Sequence, residues 1–212
     1  MGLRQVEPLP HYEPEIGRGF WALEETRRRT LSLIRDLDNF TLDWEGPDSG
    51  EDAIGSLLYH VAFTETWWLF QGILQQDFPS SLTFGFPHRN RDGRLTRVRG
   101  VPMADHLDCL HRSREFLLEA CRSMSLAEWR RFRHPADRPD CEVTPEWIIF
   151  HLLEHEAGRA FQIHALKARA ARFLASERRA GRPGTITSGG ARRGPEASAA
   201  RRLTAPRRSR PF

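Results

Sequence analysis

Lysine is almost absent from this chain: Lys167 is the only one, so 31 of the 32 basic residues are arginine. Such a bias resembles the coding habit of a GC-rich genome more than selection at individual sites, so the arginine count alone implies no anionic partner. Cysteine is also scarce. Cys109, Cys121 and Cys141 are odd in number and lack CxxC spacing, which excludes a disulfide framework and a thiolate zinc site. No run of about 18 apolar residues occurs, which excludes a membrane-spanning helix. The opening MGLRQVEPLPHYEPEIG contains no apolar signal-peptide core, and Gly2 lacks the downstream Ser or Thr of a myristoylation motif. A cytoplasmic, soluble protein is expected. GxGxxG, Walker, GxSxG and protein-kinase signatures are missing, as is the HxE with PCxxC of zinc deaminases.

The charge is unevenly placed. Residues 176–212 hold 10 Arg against 2 Glu, a balance of +8, so the overall +4 leaves −4 on residues 1–175. That segment is rich in Gly, Pro, Ser and Ala and poor in large apolar residues, so it cannot offset the entropy of its own ordering. It is expected to be a disordered tail, whose only nucleic-acid role would be weak contact with phosphates.

What remains reads as one helical domain. Residues 1–15 form an extended lead-in, and residues 16–175 a bundle. Helical periodicity predicts helices at about Gly17–Asp38, Glu51–Gln75 and Met103–Met124, and from Thr144 to about Glu177. Thr144 is a suitable N-cap for the last of these, with Pro145 in the first turn. Ser125 suits a short turn. Gly46, Pro47, Asp48, Ser49 and Gly50 break the chain after the first helix. Residues Asp77–Pro102 make a long connection between the second and third helices, with a β-like run at Leu95–Val101, and their length suggests a lid. Four principal helices give an all-α four-helix bundle.

Within the last helix His151, His155, Arg159 and Gln162 recur at three- or four-residue steps and so share one face. A histidine pair at i and i+4 can hold one transition metal, given a third ligand from elsewhere. His60, among apolar residues of the second helix, is the candidate. The alternative is a set of core histidines hydrogen-bonded to neighbours such as Glu154 or Glu156. Trp21, Trp67, Trp68 and Trp147 suit either a pocket lining or plain core.

The stretch GSLLYHVAFTETWW followed by TPEWIIFHLLEHEAGRAFQI resembles the DinB family, within the wider group of YfiT-like proteins and thiol-dependent transferases. This resemblance covers about residues 15–172. It implies a four-helix bundle with one divalent metal (zinc, nickel, iron or manganese) held by three histidines, one from the second helix and two from the last. Carried onto this sequence, those positions are His60, His155 and Arg159, because the family's HxxxHRGQ here reads HEAGRAFQ; Gln162 matches. Arginine has no lone pair to offer and repels a cation. The metal would then need His151, giving His60, His151 and His155, or an oxygen from Glu65, Glu154 or Glu156. Two readings stand. One is a metal-dependent transferase or hydrolase acting on a small molecule, with a low-molecular-weight thiol as co-substrate. The other is a non-catalytic bundle whose Arg159 and Gln162 bind a small anionic ligand, or which binds a partner protein. A homodimer is expected in either case.

Overall fold

The computed structural model describes residues 5–79, 87–135, 138 and 140–181. Among these residues no strand forms, and the chain is a four-helix bundle with two short accessory helices. Helix α1 is Pro14–Ile34, α2 Asn39–Asp43, α3 Ile54–Trp67, α4 Met103–Cys121, α5 Leu126–Trp129 and α6 Pro145–Arg179, with a π-helical turn, Trp68–Leu74, continuing α3. α1 packs mainly on α6, and α3 on both α4 and α6. No helix among the described residues is long and apolar enough to cross a membrane. The expected tail falls largely outside the described residues, as do residues 80–86 of the expected lid.

Local chemistry explains most of the boundaries. Thr144 caps α6 by accepting the Trp147 N–H at 3.1 Å, and Pro145 opens the helix where no donor is needed. Ser125 caps α5 in the same way. The first helix stops four residues earlier than its periodicity predicts, because Asp38 instead caps α2, accepting the Thr41 N–H at 2.7 Å. Helix α3 starts at Ile54 rather than Glu51. Glu51 instead pairs with Arg169 of α6, so it does not serve the α3 helix end.

Nearly every residue of α3 is buried, as expected of a helix apolar on all sides. Its continuation winds more widely and ends at Gln75, in the left-handed region with φ 54°. Gly72 lies in this turn, where a Cβ would meet Ile148 Cδ1 at 2.8 Å and Trp68 Cε3 at 2.9 Å. Only glycine admits so close an approach to α6.

The described part of the connection before α4, residues 87–102, is tied down rather than free. Arg97 and Arg99 both pair with the buried Glu45, Arg97 also donates to Ser49 O at 2.7 Å, and Arg94 donates to Gly50 O. Val98 is fully buried, and its N–H donates to Ser56 Oγ at 3.0 Å. The β-like run thus becomes an anchored strap, with only an isolated bridge between Arg89 and Leu95. Arg94, Arg97 and Arg99 are its fasteners.

Two apolar clusters fill the bundle. One contains Ile34, Ile54, Leu58, Leu110 and Ile163; the other contains Phe20, Leu69, Leu117, Ile148 and Leu152. Between them lies a charged layer with one residue from each principal helix: Arg27 of α1, Glu65 of α3, Arg114 of α4 and Glu156 of α6. Arg27 binds Glu65 at 2.6 Å and Glu156 at 2.8 Å, while Arg114 binds Glu65 at 2.7 Å and Glu156 at 3.1 Å. All four side chains are at most 6% exposed. Arg27 also donates to Leu110 O at 2.5 Å, and Arg114 reaches Glu24 at 2.5 Å. Every oxygen of the two buried carboxylates is therefore engaged. Glu65 and Glu156 are thereby committed to the arginines, which corrects the expectation that they could donate oxygen to a metal.

Candidate functional site

Beside this layer, α3, α6 and the strap line a cavity of about 340 Å³. From α3 come His60, Phe63, Thr64 and Trp67, with Trp68 from the π-helical turn; α6 contributes His151, His155 and Arg159; His88, Arg89 and Arg138 come from connecting segments. Among the described residues, those lining it include three arginines and no carboxylate.

His60 is the centre of a chain of contacts. Its Nε2 lies 3.0 Å from His155 Nε2 and 3.0 Å from Arg159 Nη2. On the other side of the ring, Nδ1 is 2.6 Å from His88 Nε2 and 3.5 Å from Thr64 Oγ1. Arg159 is held further by Gln162, whose Oε1 accepts from Nη1 at 2.8 Å, while its Nε approaches His155 Nε2 at 3.5 Å. Among the described residues Arg159 thus meets only neutral partners and forms no ion pair. The structure brings together His60, singled out in sequence by its apolar setting, and His155, Arg159 and Gln162, singled out by their spacing.

His151 joins a different group. It stacks flat on Trp147, with ring centroids 5.0 Å apart and planes 5° off parallel, and meets Trp68 edge-on at 5.4 Å. This places it on the aromatic wall, its ring 6.2 Å from that of His155. On the facing wall His88 is sandwiched between Phe63 and His60, each at 4.6 Å between centroids. Arg138 lies over Trp67 at 5.1 Å, a cation–π contact at the cavity wall.

Electrostatics keep the imidazoles neutral. Burial, then the neighbouring His155, His88 and Arg159, pushes His60 down to about 2. His88 is lowered to about 4 by burial and by Arg89, Arg159 and Arg138. His155 is lowered to about 4 by burial and then Arg159. Burial is also the main cause of the lowered His151 value. Near neutral pH the pocket therefore offers uncharged nitrogen lone pairs beside permanent guanidinium charges.

Sequence reasoning singled out neither His88 nor Arg138 for this site. His88 arrives through the strap: just after it, Asn90 Oδ1 accepts from the Asp92 and Arg94 N–H groups in a tight turn that ends at Gly93, φ 76°. The NRDG run signals that turn. Nothing local signals that it docks beside His60.

A four-helix bundle with a histidine- and arginine-lined cavity between α3 and α6 is the class that fold and site define. The DinB superfamily pattern matches residues 22–163, from α1 well into α6, and the chain belongs to that superfamily. No curated protein matches it.

The donor set does not fit a divalent metal. Among the described residues no group of three or more His, Cys, Asp or Glu is arranged to hold one. His60 and His155 present two nitrogens, His88 contacts the opposite side of the His60 ring, and His151 is stacked on Trp147. The third position belongs to a fixed positive charge 3.0 Å from His60 Nε2. A metal-bound imidazole normally donates its other N–H to an acceptor, whereas His155 Nδ1 is buried with no such partner among the described residues.

Proposed function

We propose that this DinB-superfamily protein binds a small ligand carrying an anionic group on a flat apolar body, with Arg159 contacting the anion. The observation that carries the reading is a partly buried guanidinium, hydrogen-bonded to neutral acceptors, in a cavity that among the described residues has two further arginines and no lining carboxylate. A half-buried guanidinium with no carboxylate in ion-pair contact, on which Asp52 acts only from a distance, is incompletely neutralised, so an incoming carboxylate or phosphate gains more here than in water. The faces of Trp67, Trp68 and His151 suit an aromatic or otherwise planar body. Gln162 fixes the guanidinium plane, and the neutral His60 and His155 leave its charge unquenched. Low-molecular-weight thiols that carry carboxylates belong to the same chemical class. Their expected role as co-substrate joins this reading as binding, without a reaction step.

Titration calorimetry with inorganic phosphate, aromatic carboxylates and carboxylate-bearing thiols tests the reading. Arg159→Met is expected to weaken the best of these by about 10- to 100-fold, equivalent to losing a charged hydrogen bond of about 1.5–3 kcal/mol. Equal affinity in both proteins would sink it.

The expected homodimer is also a proposal. Phe150 and Phe161 on α6 are 55% and 74% exposed, with the exposed Gly158 between them, which supports an apolar contact on that helix. Sedimentation is expected to give a dimer for the native chain and a monomer for Phe161→Glu. A native monomer throughout the micromolar range would refute it.

A further inference from the structure

We infer that the Arg159 guanidinium occupies a divalent-cation position in this pocket, as a tethered organic cation in place of a metal and its third ligand. The inference deepens the anion-binding reading, since it makes the positive charge at the cavity base independent of metal supply. Two facing imidazole lone pairs repel unless a proton or a cation lies between or beside them. His60 Nε2 and His155 Nε2 face each other at 3.0 Å, and Arg159 brings Nη2 to 3.0 Å from the first and Nε to 3.5 Å from the second. A single ion at the usual metal–nitrogen distance of about 2.0–2.1 Å from both rings would subtend roughly a right angle, a normal ligand angle. The two rings are therefore spaced as ligands while contacting a guanidinium.

The position of Arg159 completes the argument. It lies one turn beyond His155 on α6, so a side chain there projects to the same face. A ligand at 159 would be the third nitrogen that the pair lacks. Arginine instead donates hydrogen bonds to neutral nitrogens and is braced by Gln162 at 2.8 Å. His151 cannot substitute from its stacked place on Trp147. Glu65 and Glu156 are held by Arg27 and Arg114.

Arg159→His should accordingly convert the pocket into a metal site. The experiment is titration of the tag-free full chain with Co(II), followed by visible absorption, for the native protein, Arg159→His, and Arg159→His combined with His60→Ala. Arg159→His is expected to bind one equivalent at least about 100-fold more tightly than the native chain, because a nitrogen ligand replaces a charge that repels the ion. The double variant is expected to return to the native level. Arg159→Glu provides a second installed ligand should the histidine variant fail to fold, with helicity measured on each protein. One equivalent bound by the native chain and lost in His60→Ala would overturn the inference. So would folded Arg159→His and Arg159→Glu proteins that bind cobalt no better than native. Phosphate and carboxylate calorimetry on the metal-free native chain is independent of these results, so failure of the anion reading is recognised separately.

Discussion

Glu65→Leu is expected to destabilise the bundle by about 3–5 kcal/mol, the usual consequence of removing one partner from a buried ion pair. For a chain of this size that lowers Tm by roughly 10 °C or more. Arg27 and Arg114 each use Glu65, and both are at most 6% exposed, so its loss leaves two guanidinium groups sharing Glu156, with the more exposed Glu24 as the further partner of Arg114. The layer joins all four principal helices, so the deficit acts on the whole bundle. Replacing Arg27, Glu65, Arg114 and Glu156 together by apolar residues of similar volume is expected to be far milder, because no charge is left stranded. Thermal unfolding of the two proteins decides the matter: a Glu65→Leu variant within about 1 kcal/mol of native would show that the layer is energetically idle.

Stability is expected to fall as pH drops below about 6.5, before ordinary carboxylates titrate. The folded values of His88 and His155 are lowered to about 4, and that of His60 to about 2, while an unfolded histidine titrates near 6.5. For a depressed folded value the stabilisation is complete above the unfolded value and is lost as pH falls toward the folded one. Between pH 7 and 5 this amounts to at most about 2 kcal/mol for one ring that stays neutral, less for the more exposed His88, and the contacting rings do not simply add. Glu65 contributes at lower pH. Burial opposes its ionisation, but Arg114 and Arg27 outweigh burial and hold it below the usual carboxylate range, so its share is present above about 4.3 and disappears as acid protonates it. Urea unfolding at pH 7.5, 6 and 5 checks the histidine effect, with His88→Asn expected to reduce the slope. A flat profile over that interval would contradict the neutral imidazole cluster.

The sequence exposes the parts of this molecule that depend on neighbours three or four residues away. Thr144 and Pro145 mark the start of α6, and its ladder of His151, His155, Arg159 and Gln162 is a matter of helical pitch. His60 is the candidate partner of the α6 histidines from its apolar setting, and the family resemblance points to the same pairing with His155. Contacts made over long separations stayed hidden. A glutamate such as Glu65 inside a helix reads as solvated or as a metal ligand until Arg27 and Arg114 are known to meet it. His88 reads as a loop residue until Arg99 is found on Glu45, 54 positions away. His151 has the spacing of a ligand, but stacking on Trp147 decides its place, and periodicity does not encode that contact.

The π-helical turn at Trp68–Leu74 affects how this chain is compared with others. Each turn spans more residues than an α-turn does, so residues after it are out of phase with those before it. A partner whose corresponding helix runs uninterrupted cannot be matched residue for residue on both sides. Alignments anchored on His60 and carried without a gap through Ile73 would pair core positions near the end of the turn with surface ones, whereas Trp67 and Trp68, at its start, keep their register with the histidine.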